Sequence, residues 1–340
     1  MRIPHVFRRG ELYAFMLIAL SVVAFASVSF VGDSKKISAA LSQINIELLL
    51  SLLGLAVINY VLRATRFQMF ARRLGIRIPF GWMTVYYVAG FAMSATPGKF
   101  GELVRLWLIR QRHGYRIERS LPLQIADRAA DVVASIVLCI GAIGAFSGYW
   151  KLVAGGGAVV VVGVVLLMKP ALLYRGINGL YRGVSGKGRW LARLRRLIRR
   201  TAVLFKPQLF LPALVLSIIG WWAECLALSL CMQGIGGVSD LGRATFIFTF
   251  SNLVGGLTFL PGGVGGTEVT MVGFLVAEGI GIESAATVTA VIRLATLWFG
   301  TVLGLLIFAG LLRIKSVKHD VERPSERLLA TPPEDASIVP

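Results

Sequence analysis

Charge is scarce in this sequence, and acidic charge most of all. Asp and Glu together number 17 among 340 residues, against 36 Lys and Arg, and charged residues of both signs make up only 16%, where a soluble domain carries roughly 25%. That excludes an ordinary water-surrounded globule. Cysteine and histidine are scarcer still, with three of each. Cys139, Cys225 and Cys231 all fall in apolar segments, which leaves neither a disulfide framework nor a metal-ligand spacing, and His5, His113 and His319 lie far apart in polar flanks. The sequence thus supports no metal, no cofactor and no histidine-based catalysis. What it has in abundance is apolar side chains, 56% of the total, in runs long enough to cross a bilayer. The net charge of +19 would suggest nucleic acid on a polar surface, but beside such runs it points to a membrane protein. The basic start, Arg2, Arg8 and Arg9 before an apolar run from Leu12 to Gly32, lacks a small-x-small cleavage context and reads as a retained span.

Hydropathy predicts six full-length apolar helices, at about Leu12 to Gly32, Ile46 to Ala64, Leu121 to Phe146, Leu152 to Met168, Leu209 to Met232 and Ala285 to Leu312. Two further apolar stretches, Trp82 to Arg112 and Ala244 to Glu278, are too long for one helix, and each is interrupted near its middle by proline and glycine. The first break carries Pro97, Gly98 and Gly101; the second carries Pro261, Gly262, Gly263, Gly265 and Gly266. Proline removes a backbone donor and glycine weakens a helix, so each stretch should be two half-helices around an unwound turn.

Positive charge favours hairpins that return to their own side over kinked spans that cross. With both stretches re-entrant and the N-terminus inside, 28 of the 36 basic residues collect on the cytoplasmic side: the N-terminal arginines, Arg63 to Arg77, Arg110 to Arg119, the cluster at 169–206 and those after Leu312. Crossing at the first break would put the 169–206 cluster on the wrong side. That cluster contains no acidic residue, and Leu191, Leu194 and Ile198 fall at helical spacing among its bases. It reads as an amphipathic helix on the anionic inner leaflet or simply as a topology anchor, not as a nucleic-acid site.

The two broken stretches resemble each other. Pro97, Gly98 and Gly101 match Pro261, Gly262 and Gly265 at an offset of 164, and Glu118 and Arg128 match Glu283 and Arg293 at an offset of 165. A span, a hairpin and a span make one unit, and the single span between the units turns the second upside down, the inverted-repeat arrangement of secondary transporters. The expected fold is therefore all-α, a polytopic membrane protein of six transmembrane helices and two re-entrant helical hairpins. Its parts are an N-terminal helix and outer loop (1–45), a first repeat (46–147, hairpin 82–112), a linking helix with the basic segment (148–208), a second repeat (209–312, hairpin 244–278) and a disordered cytoplasmic tail (313–340). Both termini are then cytoplasmic, in the inner membrane of a bacterial-type cell.

Ionisable residues within these stretches mark the candidate site. A charge near the centre of a span costs roughly 2.5 to 3.5 kcal/mol on insertion scales, so Glu102, Arg105, Asp127, Arg128, Asp131, Glu224, Glu268 and Arg293 must be paired or wet. Asp127 and Asp131 share a helix face, and Arg128 points about 100 degrees away from it. Arg128 and Arg293 each lie ten residues past Glu118 or Glu283, hence at matching depths from opposite faces. Glu102 is expected to approach Arg128, and Glu268 to approach Arg293. Such pairs either fix packing or open to hold an anionic head group. The glycines equally permit close helix packing, and Glu102 and Glu268 equally suit the starts of their own half-helices, whose free N–H groups favour an anion.

The ordered set Pro97-Gly98-Lys99-Phe100-Gly101-Glu102-Leu103-Val104-Arg105, Asp127-Arg128 with Asp131, and Pro261-Gly262-Gly263-Val264-Gly265 with Glu268 and Arg293 resembles the transmembrane region of lysylphosphatidylglycerol synthases and their stand-alone flippase-like relatives. The resemblance covers roughly Ile46 to Leu312; the family often carries Glu where Asp127 stands. The full synthases add a soluble aminoacylating domain, and only a short tail follows Leu312 here, so lipid aminoacylation is not expected. What the resemblance implies is the flippase part, moving a polar-headed or anionic lipid between leaflets. The alternatives are a membrane enzyme acting on lipid-linked sugar or phosphate, or an assembly partner in envelope-lipid biogenesis. Expected partners are membrane lipids, anionic inner-leaflet lipids at the 169–206 segment and a lipid-synthesis protein.

Overall fold

A computed structural model describes residues 45–94, 102–142, 197–236, 240–258 and 260–313. Their regular structure is all helical: α1 (Ile46–Arg73), α2 (Phe80–Ala89) with a 3-10 turn (Gly90–Met93), α3 (Val104–His113), α4 (Ile117–Gly141), α5 (Pro207–Gly236), α6 (Leu241–Leu257), α7 (Gly266–Ala277), α8 (Ile282–Arg293) and α9 (Phe299–Arg313). A π-helical segment, Leu294–Trp298, joins α8 to α9. Among the described residues three helices are long and apolar enough to cross a membrane: Ile46–Arg73, Pro207–Ile235 and Ile282–Arg313. The spans expected at 12–32 and 152–168, the first break at Pro97, Gly98 and Gly101, and the tail lie outside the described residues.

Local chemistry sets most boundaries. Asn45 caps α1 by accepting the Leu48 N–H at 2.7 Å. The helix continues to Arg73, nine residues beyond the expected end at Ala64, because its polar C-terminal half is packed inside the protein and not left in an aqueous loop. Pro122 sits in the second turn of α4, where it leaves the Glu118 carbonyl without its helical donor. Arg200, on a short helix over 197–204, donates to that carbonyl at 3.5 Å. On the same short helix Arg199 and Arg200 are exposed, and Leu204 with Phe205 after it is buried, an amphipathic arrangement at the only described end of the basic segment.

Cross-contacts fix how the helices run. Arg119 donates to Leu74 O, Arg200 to Glu118 O and Arg112 to Leu311 O, which gathers the C-termini of α1, α3 and α9 and the N-terminus of α4 at one basic end. At the other end Leu48 lies beside Gly234, and Arg243 pairs with Glu278. In each broken stretch the described helices on either side of the break lie against each other. In the first, Tyr86 on α2 meets His113 at the end of α3 at 3.0 Å, and Gly90 lies against Arg105. In the second, Arg243 at the start of α6 meets Glu278 after α7, and Gly255 packs on Thr267 at the turn. The α2/α3 hairpin therefore begins and ends at the basic end, and the α6/α7 hairpin at the opposite one.

Burial is inverted relative to a soluble protein. Leu50, Ile58, Val61, Leu211, Val215, Val269 and Leu306 are exposed, whereas Arg66, Arg105 and Asp127 are fully buried. A bilayer solvates the first set, and the second must be satisfied within the protein. Two apolar cores form, one around α2 and α9 and one around α5, α6 and α8. On α4 the first core includes Ala130 and the second Ala134.

Gly304 on α9 is the closest crossing of the first hairpin. A Cβ there would lie 2.5 Å from Ala92 N and 2.8 Å from Val88 O, both backbone atoms that cannot rotate away. We expect Gly304→Val to lower stability by about 1 to 3 kcal/mol or more, read as a lower thermal unfolding midpoint in detergent micelles. Gly310→Ala, with open space around it, should change stability by less than about 0.5 kcal/mol.

Candidate functional site: a buried ionic cluster beside a polar cavity

Helical spacing builds the first part of the site. Asn59, Arg63 and Arg66 recur at i, i+4 and i+7 and so share one face of α1, turned inward while Ile58 and Val61 face out. Opposite them, α4 presents Asp127 and Asp131. Arg66 donates through Nε to Asp127 Oδ1 at 3.0 Å and through Nη1 to Asp131 Oδ1 at 2.7 Å, with a further bond from Nη1 to Ser217 Oγ on α5 at 2.5 Å. Arg63 Nη2 donates to Asp131 Oδ2 at 2.6 Å, and Trp221 Nε1 donates to Asp131 Oδ1 at 3.1 Å. One arginine thus ties three helices together.

The first hairpin brings the rest. Glu102 Oε2 accepts from Arg105 Nη2 at 2.9 Å and from Gln124 Nε2 at 3.2 Å, and it lies 2.9 Å from Arg128 Nη2. Arg105 Nη1 reaches Asp127 Oδ2 at 3.3 Å, its guanidinium lying 4.1 Å from the centroid of the Tyr87 ring, while the Tyr87 hydroxyl donates to the same carboxylate oxygen at 3.1 Å. Arg128 leaves Cα away from the Asp face, but its length carries Nη2 back to within 3.1 Å of Asp131 and 3.3 Å of Asp127. Four arginines and three carboxylates form one network.

The second hairpin is held more sparingly. Gly262, Gly263 and Gly265 adopt positive φ of 63, 69 and 90 degrees, the left-handed conformations that let the chain reverse without a Cβ clash. Glu268 accepts the Gly265 N–H at 2.7 Å and the Arg293 Nε–H at 2.6 Å; Arg293 Nη2 also donates to Gly262 O at 2.9 Å. The start of α7 is thus partly capped from within: Glu268 takes the Gly265 N–H, which is the second of the two roles the sequence left open for it. Immediately after Arg293 the chain enters the π segment, and Tyr60 donates to its Thr296 carbonyl at 2.5 Å. Asn59 Nδ2 donates to Glu224, joining the two expected repeats.

Between the two hairpins lies a small, half-open cavity of about 60 Å³, whose walls include Arg63, Ser94, Glu102, Glu224, Gly262 and Arg293. Arg63 Nε and Asn59 Oδ1, buried beside it, have no hydrogen-bond partner. Glu102, Arg128, Glu268 and Arg293 stand in the two expected pairs. Glu224 lines the cavity on its own helix. Arg105, Asp127 and Asp131 lie behind the wall, inside the network. Among the described residues no three His, Cys, Asp or Glu side chains converge as a metal site, and both aspartates are saturated by guanidinium groups. His113 pairs with Tyr86 at the basic end, away from this centre.

The family model for the lysylphosphatidylglycerol synthase TM region matches residues 16–304. The chain belongs to that family. Two similar proteins, both named UPF0104 membrane protein, come from Methanothermobacter thermautotrophicus. One is 38% identical over 90 residues, covering 26% of this chain and 27% of the relative, so the aligned part spans about a quarter of that protein; the other is 23% identical over 313 residues, covering 85% of this chain and 93% of the relative. Membership makes this a lipid-related multi-pass membrane protein.

Sequence reasoning missed Arg63 and Arg66. It assigned them to the cytoplasmic flank, and the structure corrects this: Arg66 is fully buried and Arg63 is 8% exposed. The spacing Asn59, Arg63, Arg66 on a helix otherwise apolar was the signal that could have placed them inside. We expect Arg66→Met to cost about 3 to 5 kcal/mol, because it strands two buried carboxylates. Adding Asp127→Leu should recover part of that loss, and thermal unfolding in micelles measures both.

Proposed function

We propose that the protein moves a polar-headed or anionic lipid between membrane leaflets, with the cavity between the two hairpins as the head-group path. The observation that carries this reading is the cavity itself: two arginines and two glutamates, Arg63, Glu102, Glu224 and Arg293, drawn from both halves of the chain, line one space between the two broken stretches. A charged head group crossing bare hydrocarbon meets a large desolvation barrier, and a wall of fixed charges with an unpartnered donor, Arg63 Nε, and an unpartnered acceptor, Asn59 Oδ1, lowers it. The lipid-related family supports the same reading. In this account the hairpins are re-entrant within a fold of six spans, the basic end faces the cytoplasm of a bacterial inner membrane, and the 169–206 segment rests on anionic lipid. A lipid-synthesis protein is the expected partner. An enzyme acting on lipid-linked sugar or phosphate is less well supported, since it would need Asp127 or Asp131 as a base or metal ligand and both are held by arginines.

Proteoliposomes with fluorescent short-chain phospholipids and an external quencher test the proposal. The wild-type protein should accelerate loss of the protected inner-leaflet signal. Arg293→Gln and Glu224→Gln should each slow it by about tenfold or more, the scale of one lost charge-assisted hydrogen bond, with elution volume and unfolding midpoint checked in parallel. Rates equal to protein-free vesicles for the wild type, or unchanged in both folded variants, overturn the path.

A further inference from the structure

The two hairpins are related by sequence but not by how they are fastened. Positions 165 apart correspond: Glu118 and Glu283 open α4 and α8, and Arg128 and Arg293 pair with a glutamate of their own hairpin. Asn59 and Glu224, also 165 apart, touch each other. In an inverted repeat two corresponding positions meet only on the pseudo-two-fold axis, so this bond marks the midpoint of the path. The same correspondence exposes an asymmetry. Arg63, Arg66, Asp127 and Asp131 in the first repeat face Leu228, Cys231, Ile292 and Thr296 in the second. Among the described residues, every charge that locks Glu102 and Arg128 to the body of the first repeat is missing around Glu268 and Arg293.

The geometry points to a division of labour: the α2/α3 hairpin is the fixed wall of the path, and the turn and first part of α7 are its moving gate, with Arg293 as an anion-binding residue that Glu268 occupies while the gate is shut. This rests on the lipid path proposed above and goes further, in naming which hairpin opens and which residue takes a phosphate ester. Three observations converge on it. Arg293 is a wall residue of the cavity, 5% exposed, and its guanidinium holds the gate at two points, the Glu268 carboxylate and the Gly262 carbonyl. The glycines beside those points already occupy conformations a hinge needs. The rest of α7 is anchored elsewhere: Phe274 packs on Phe246 and Phe250 of α6, and Glu278 pairs with Arg243. Motion is thereby confined to the turn end.

A ligand shifts such an equilibrium only by binding the open state better. Here it does so by exchange: the phosphate takes the guanidinium that Glu268 gives up, so the arginine is never left buried without an anion. Glu102 cannot make the same exchange, because Arg105, Arg128 and Gln124 hold it together and Asp127 and Asp131 hold two of those three.

Hydrogen-exchange mass spectrometry of the full chain in phosphatidylcholine nanodiscs tests this. Adding dihexanoyl phosphatidylglycerol should speed exchange at 260–272 several-fold and leave 102–113 unchanged. Arg293→Gln should exchange rapidly at 260–272 without ligand and not respond further. Glu268→Gln removes the internal competitor and should lower the lipid concentration for half-response by about tenfold. Faster exchange at 102–113 with 260–272 still protected, or weaker response in Glu268→Gln, overturns the gate. Inorganic phosphate producing the full effect at the same concentration upholds the anion site and counts against a lipid path. Normal gating without lipid movement in proteoliposomes sinks the transport reading alone.

Discussion

Buried charge in this protein has to be neutralised locally, and that requirement organises everything else. The interior holds Arg66 and Asp127 with no exposure at all, where the penalty for an uncompensated ion after relaxation is several kcal/mol. Each charge must therefore have its partner, and the partners come from different helices: α1 for Arg66, α4 for the aspartates, the first hairpin for Arg105 and Glu102, α5 for Ser217 and Trp221. Satisfying one ion thus fixes the relative position of four elements. Apolar burial cannot supply this specificity in a bilayer, because lipid tails solvate leucine as well as another helix does. The cluster is the reason the α2/α3 hairpin has one position.

The same constraint accounts for the polar lining of the cavity. Unwound backbone inside hydrocarbon is tolerated only where protein or water satisfies it. In the second turn Arg293 satisfies Gly262 O and Glu268 satisfies Gly265 N, and the carbonyl of Thr296 in the π segment is taken by Tyr60. Three irregular backbone groups and three side chains therefore face one region. A cavity follows from this crowding of polar groups, since they cannot pack as densely as an apolar core and keep their hydrogen-bond geometry.

How much of this could be read from the sequence depends on which rule governed each residue. The second break was legible because proline and glycine act locally, and the Glu268 and Arg293 pairing was legible because two short motifs repeat at a nearly constant offset. Arg63 and Arg66 were not. Positive-inside reasoning counts arginines near a helix end as cytoplasmic, and it has no means to see that α1 runs nine residues past its apolar stretch with its polar face covered. That cover comes from α4 and α5, sixty and one hundred fifty residues away in sequence by rough count, so no local window contains it. Arg128 shows a smaller version of the same gap. Its Cα direction was inferred correctly from a turn of 100 degrees per residue, but a guanidinium on a long stem reaches around a helix, and direction at Cα does not decide what it touches.

Asymmetry between related halves carries a final consequence. Two identical halves with equally strong locks would have equal barriers to opening either way, and a strong lock on both would open neither. With Leu228, Cys231, Ile292 and Thr296 at the positions that correspond to Arg63, Arg66, Asp127 and Asp131, the turn end of the second hairpin is held by one ion pair, Glu268 with Arg293, in place of a network. A single pair near a cavity can be exchanged for a ligand's charge, whereas removing one member of a network leaves the others still bound to each other and to the hairpin. In the proposed gate, rigidity in the first repeat would make movement in the second productive: a head group displacing Glu268 from Arg293 would meet a fixed opposite wall, Arg63 and Glu102, against which it is oriented. The balance is neutral: four arginines stand against four carboxylates in the buried set among the described residues, and the partly buried Arg128 and Glu268 add one charge of each sign.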